Sequence, residues 1–146
     1  MGNGAALVGV YFPVHAHVDA ATTSAVREVE SDEALDYAAR ELAEYFAGRR
    51  RAFSTPLAAQ GTDFQRAVWG ALAEIPYGAR RSYLEIARSL GREGAVRAVG
   101  AANARNPLSI FVPCHRVVAA NGALTGYAGG LAAKQWLLAH ESSGRV

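Results

Sequence analysis

Apolar side chains recur along this chain with two different periods, and the changes of period mark out its elements. Leu7, Val8, Val10, Tyr11 and Phe12 form a β-prone run that Pro13 ends, which predicts a strand over 7–12. Residues 13–31 show no period and read as a loop. Over 32–47 the residues Leu35, Ala38, Leu42, Tyr45 and Phe46 recur at helical spacing, and Gly48 closes the run. Residues 49–61 are rich in Arg, Ser, Pro and Gly and read as a linker. One small domain is therefore expected over 1–55 and a second over 56–146.

In the second part, polar caps announce the helices. Thr62 with Gln65, and Ser82 with Glu85, both have the form of a capping box. The first opens a helix with Phe64, Val68, Ala71, Leu72 and Ile75 on one face, stopped by Pro76-Tyr77-Gly78. The second opens a short helix through Ile86 and Leu90, closed by Gly91, and a third helix follows over 95–105. Short helix, glycine turn, second helix is the helix-turn-helix pattern, in which the second helix meets DNA. Yet in 95–104 the only long polar side chain is Arg97. Helices that read the major groove usually carry several. A face this smooth suits close approach to a backbone or a narrow groove, with Arg97 as a single probe. Packing inside a core accounts for it equally well. After Asn106-Pro107, the run Ile110-Phe111-Val112 reads as a short buried strand ending at Cys114, and Val117-Val118 continues extended to a turn at 120–122. A Gly-rich loop over 125–130 leads to a last helix over 131–140, expected to turn Leu131, Trp136, Leu138 and Ala139 inward.

Composition narrows the class. With 51% hydrophobic and 19% charged residues the chain is too apolar to be disordered. No apolar run approaches the roughly 18 residues that span a bilayer, and the first residues lack the basic stretch of a secretory signal. A cytoplasmic protein with no membrane partner is expected. Charge is uneven: residues 1–60 carry 5 Arg against 8 acidic residues, whereas 61–146 carry 10 Lys or Arg against 5. A basic second half suits a polyanionic partner.

One cysteine, Cys114, excludes an intramolecular disulfide and any zinc site built on several thiolates. It is either a small core hydrophobe or the centre of the chemistry. A thiol attacks only as thiolate, and its free pKa of about 8.5 leaves a small anionic fraction at neutral pH. His115, Glu141 and Asn106 are the groups that could raise that fraction. Adjacent residues of a regular strand face opposite ways, so His115 reaches Cys114 only if the chain bends there or a water bridges them. Pro113 favours a bend. His15 and His17 have no further ligand cluster beside them and read as solvated, so no metal site is expected.

Ile110-Phe111-Val112-Pro113-Cys114-His115-Arg116-Val117 resembles the active-site signature of the methylated-DNA–protein-cysteine methyltransferases, the O6-alkylguanine-DNA alkyltransferases. The likeness extends to Arg81-Ser82-Tyr83, Arg97-Ala98-Val99-Gly100, Asn106-Pro107, Gly126-Tyr127-Ala128-Gly129-Gly130 and Leu137-Leu138-Ala139-His140-Glu141, covering about residues 33–141. It implies an α/β protein with a small ribonuclease-H-like N-terminal domain and a helical, winged-helix or helix-turn-helix-like C-terminal domain. Family members usually begin with an extra strand or hairpin, so either a reduced sheet or a truncated start is expected here. The resemblance further implies a monomer that binds double-stranded DNA through the minor groove, flips out O6-alkylguanine and takes its alkyl group onto Cys114 once, with no cofactor.

By the same resemblance His115, oriented by Glu141 and bridged by water, raises the thiolate fraction, and Asn106 orders that network. Tyr83 donates to the leaving guanine and turns the phosphate; Arg97 enters the stack in place of the base. Tyr83, Arg97, Ala98, Ala102, Arg105 and Arg116 fall to the DNA side, and Val117, Tyr127, Ala128 and Gly129 to the substrate pocket. Three other readings compete with the alkyltransferase. A non-catalytic sensor of alkylated DNA, as in the alkyltransferase-like proteins, usually has another residue in place of the cysteine. A cysteine hydrolase using Cys114, His115 and Glu141 leaves Tyr83 and Arg97 without purpose. A helix-turn-helix regulator needs dimer and effector regions that 146 residues hardly provide.

Overall fold

Helix α1 spans Glu33–Phe46, and its pattern shows why it packs as it does. Ala38 and Tyr45 are buried, with Leu35 and Leu42 half-buried on the same core. Phe46, one residue past Tyr45 and so about 100° around the helix, points to solvent at 44% exposure. The buried stripe also contains an acid, Glu41. The structure, a computed structural model, describes residues 33–124, 127 and 130–143. The strand expected over 7–12, the loop over 13–31, the sheet of the small domain, His15, His17, Ala128 and Gly129 lie outside the described residues.

The segment read as a linker is tied down. Glu41 accepts from the Ser54 backbone N–H at 2.8 Å, the Ser54 hydroxyl at 3.1 Å, the Thr55 N–H at 2.8 Å and the Thr55 hydroxyl, and Arg50 pairs with it at 2.8 Å. Ser and Thr look like linker composition, but here they supply the donors that a buried carboxylate requires. Burial alone raises the Glu41 pKa; the Thr55 and Ser54 donors outweigh it and hold the carboxyl below its ordinary range.

Both capping boxes form. Thr62 accepts from Gln65 N at 3.1 Å and Gln65 returns the bond at 3.0 Å, starting α2, Asp63–Ala73. Ser82 and Glu85 do the same at 3.1 and 3.3 Å for α3, Tyr83–Ser89. Gly91 at φ 69° closes α3 in the left-handed region, where a side chain is strained. A 3-10 turn, Glu93–Ala95, then leads into α4, Val96–Ala104. α2, α3 and α4 pack on one another, and the Trp69 indole N–H donates to the Ala102 carbonyl at 2.9 Å, joining α2 to the end of α4. Strand β1, Arg81–Ser82, pairs in parallel with β2, Val117–Val118, in the register Arg81 to Val117. Helix α5 spans Leu131–Ser142. Among the described residues no helix is long and apolar enough to cross a membrane.

Two expectations fail. Residues 110–112 form no strand: Ile110 takes φ 76° and Val112 N donates to Leu108 O at 2.9 Å, folding the segment into a buried turn. A β-branched residue at positive φ costs on the order of 1–3 kcal/mol, and no apolar pattern signals it. Helix α5 is also rotated from the expected face. Leu138 is buried, but Leu131 and Trp136 are 52% and 50% exposed and Ala139 faces out, while Lys134, Leu137 and Glu141 join Leu138 inside. Two charged side chains hold that inner face because the Cys114 turn gives them partners.

Glu41→Gln tests whether charge pins the 49–61 segment. We expect a loss of about 1–3 kcal/mol in urea unfolding at pH 7. The depressed carboxyl contributes stability above its unfolded pKa of about 4.3 and loses it as pH falls through the folded value. The gap between variant and parent should therefore close in acid. A gap of constant size below about pH 3 would refute the charge argument.

Candidate active site

Cys114 sits at the start of a 3-10 turn, Cys114–Arg116, and not in a strand. Pro113 has φ −81° and ψ 64°, and Cys114 N donates to Val112 O at 2.8 Å. This is an inverse γ-turn with proline's fixed φ at its centre. The bend puts Cys114 and His115 on a tight helical turn, so the opposite-face geometry of a strand does not apply. Asn106, 1% exposed, braces the turn: its amide donates to Val112 O at 2.8 Å and its oxygen accepts from Leu108 N at 3.0 Å. Asn106 and Tyr127 stand by the thiol and favour its anion. Tyr127, buried, also meets Ser109.

The His115 ring is wholly buried, with Nε2 bonded to Glu141 Oε2 at 2.7 Å and Nδ1 buried without a hydrogen-bond partner among the described residues. Glu141 carries more than the histidine. Arg116 grips it with both arms, Nε to Oε1 at 2.8 Å and Nη2 to Oε2 at 2.9 Å, while Nη1 donates to Ile75 O at 2.6 Å. Tyr45 of α1 donates to Oε2 at 2.7 Å. Burial alone would raise the Glu141 pKa, but these donors hold it far below the usual carboxylate range, so it is ionised. Burial lowers the His115 pKa against the opposite pull of Glu141, so the ring is neutral at pH 7. Burial pushes the Cys114 thiol up to about 11, against the donors Asn106 and Tyr127 and the charge of Lys134. At rest, sulfur and imidazole are thus a neutral pair between fixed charges.

Lys134 was not singled out from sequence, yet it is 0% exposed and donates to Val117 O at 2.6 Å. Burial lowers its pKa to about 8, and the charge on Cys114 works the other way. Asn103, also passed over, is buried on α4 and directs its amide to Cys114 O at 3.5 Å. A signal for Lys134 was present. It stands seven residues before Glu141, so an inward Glu141 places Lys134 on the same face two turns earlier. Nothing comparable marks Asn103 or Tyr45.

On the outer face of α4, Arg97, Ala98 and Arg105 are exposed. Tyr83, half-buried, lays its ring over α4, where a Cβ built on Gly100 would stand 3.9 Å from it. Two residues expected at the DNA side are core residues instead. Ala102 is 3% exposed beneath Trp69, and Arg116 is 5% exposed and spent on Glu141 and Ile75. The basic side chain after His115 is expected on the DNA side, but a buried carboxylate claims it. Val117, buried, contributes its carbonyl to Lys134. Among the described residues no cluster of His, Cys, Asp and Glu could hold a metal ion.

Residues 63–143 match the family model "6-O-methylguanine DNA methyltransferase, DNA binding domain", and residues 7–59 match its "ribonuclease-like domain". The methylated-DNA–protein-cysteine methyltransferase of Methanosarcina acetivorans is 56% identical over 115 residues, 79% of this chain and 74% of that protein. The chain belongs to the 6-O-methylguanine DNA methyltransferase family. Its fold is the two-domain fold of that family, a ribonuclease-like domain followed by a helical DNA-binding domain. Mycobacterium tuberculosis OGT, solved in complex with DNA, superposes with a TM-score of 0.87 at 45% identity, covering 98% of this chain and 84% of that one. S. pombe Atl1, solved with damaged DNA, reaches 0.51 at 32% identity over 56% of this chain and 78% of that one. Within the methyltransferase fold, α1 with Tyr45 falls in the ribonuclease-like match, and α2 to α5 fall in the DNA-binding match.

Lys134→Met keeps the apolar stem and removes the cation. We expect Cys114 to react with iodoacetamide about tenfold more slowly at pH 7, a one-unit rise in thiol pKa. An unchanged rate would remove Lys134 from the electrostatics of the sulfur.

Proposed function

We propose that the protein repairs alkylated DNA by direct reversal, moving the alkyl group of O6-alkylguanine onto Cys114 Sγ in a single turnover. The observation that carries this reading is the Cys114 turn. The chain's single thiol lies beside an imidazole that is bonded to an ionised carboxylate, in a chain whose relatives are named for methyl transfer to a cysteine. His115 Nε2 is committed to Glu141, so Nδ1 is the nitrogen left to take the thiol proton through a water. The thiolate then displaces guanine at the saturated carbon: an S–C bond forms, the C–O6 bond breaks, and the electron pair leaves on O6. The thiol proton ends on the guanine, so the balance is thiol plus alkylguanine to thioether plus guanine. Displacement at a saturated carbon develops no tetrahedral oxyanion, and no oxyanion hole is needed.

Duplex DNA is the partner in this reading, with α4 lying in the minor groove. Its smooth outer face permits close approach, and exposed Arg97 takes the place of the flipped base. Tyr83, at the first turn of α3 and against α4, donates to O6 as the guanine leaves. The sensor reading is less favoured because Cys114 is present, with the Asn103 amide on its carbonyl and Asn106 bracing the turn before it.

Incubation with a duplex containing O6-methylguanine should add one methyl group, confined to Cys114 and saturating at one per protein. Cys114→Ser should bind the duplex and transfer nothing. Binding without any mass change in the parent protein would favour the sensor reading. Arg97→Ala should slow repair of duplex far more than reaction with free O6-benzylguanine, by at least about tenfold if it offsets the few kcal/mol of unstacking. Equal loss on both substrates would take Arg97 out of base flipping.

A further inference from the structure

The carboxylate that orients His115 is not held by the DNA-binding domain alone. We propose that Tyr45, on α1 of the ribonuclease-like domain, is a positioning residue of the transfer reaction. Its hydroxyl bonds the same Glu141 oxygen as the His115 ring and so sets how strongly that carboxylate draws a proton onto the imidazole. The inference rests on the reading of Cys114 as acceptor and His115 as its proton partner.

Three donors share one oxygen. Glu141 Oε2 accepts from Tyr45 Oη at 2.7 Å, His115 Nε2 at 2.7 Å and Arg116 Nη2 at 2.9 Å. Each donor stabilises the anion and thereby reduces its pull on a proton elsewhere. Tyr45 is 0% exposed and held at both of its ends by the last turn of α5: its carbonyl accepts from His140 Nε2 at 2.7 Å while its hydroxyl donates to Glu141. Its ring stands edge-on to His140 at 5.2 Å and to Tyr77 at 6.1 Å, and rests against Phe53 at 5.6 Å. The hydroxyl therefore cannot swing to another acceptor. Packing alone would be met by phenylalanine.

The charged and titratable groups facing His115 are Glu141 and Lys134 from α5, and Cys114 and Arg116 from its own turn. Tyr77 interacts electrostatically with both Glu141 and Tyr45. Among the described residues Tyr45 is the contribution of the ribonuclease-like domain to this set. Loss of its hydroxyl leaves Oε2 to His115 and Arg116. The imidazolium is then favoured, His115 titrates at higher pH, and the acidic limb of the transfer rate moves up with it. A stronger donor at the same place acts in the opposite sense.

The full chain is tested as Tyr45→Phe and with 3,5-difluorotyrosine incorporated at position 45. The pH–rate profile of methyl transfer from an O6-methylguanine duplex is read by protein mass, and the His115 ring is followed by NMR. In Tyr45→Phe both the acidic limb and the His115 titration should rise by about half a unit, and with the fluorinated residue both should fall. A lowered melting temperature with neither titration moved would show a packing role only and overturn the proposal. If the parent protein transfers no methyl group, the functional reading fails. The His115 titration then still decides for or against Tyr45.

Discussion

The structure depends on one buried carboxylate. Glu141 receives the Tyr45 hydroxyl, the Gly78 N–H, the His115 ring and two nitrogens of Arg116, which brings α1, the loop after α2, the Cys114 turn and α5 to one point. An anion in the interior is tolerable only when its lone pairs are met and its charge is balanced, and both conditions hold here. Such a group adds little net stability compared with a well-packed apolar substitute, but deleting one partner leaves an uncompensated charge that costs about 3–5 kcal/mol. Its effect is to fix geometry. The His115 ring has one orientation because its partner has no freedom to move.

That arrangement explains how the site holds a reactive group quietly. The charges at pH 7 are Glu141, Arg116 and, for the most part, Lys134, all buried; the sulfur and imidazole are neutral at rest. A neutral thiol wards off stray oxidants and electrophiles, whereas a standing thiolate invites them. In the proposed reaction the charge of Lys134 favours the thiolate from a fixed position, so little reorganisation is required when a substrate arrives.

Much of this was legible in the sequence where local chemistry decides structure. Thr62 with Gln65 and Ser82 with Glu85 start helices because their bonds span three residues, a distance the sequence displays directly. The grouping of Cys114, His115, Asn106 and Glu141 was legible too, since each residue type suits thiol activation. What escaped was tertiary. Lys134 and Glu41 lie on apolar faces, where a hydropathy pattern places no charge, and they are inside only because partners far along the chain meet them. Arg116 next to His115 was expected on the DNA side; a carboxylate 25 residues away claims it. The turn over 110–112 contains Ile110 in a conformation that β-branched residues avoid, so propensity pointed to a strand. Tyr45 read correctly as core, yet its hydroxyl had no partner that spacing could reveal.

The burial of Arg116 and Lys134 alters what the basic half of the chain means for an encounter with nucleic acid. Both count in the excess of cations over 61–146, but neither can displace an ion condensed on a phosphate. Only surface arginines such as Arg97 and Arg105 release counterions to bulk solution, and each one that does so adds close to one unit to the slope of log affinity against log salt. Affinity for DNA in this protein should accordingly be less sensitive to ionic strength than its sequence charge suggests. It then has to draw more on contacts that do not depend on charge.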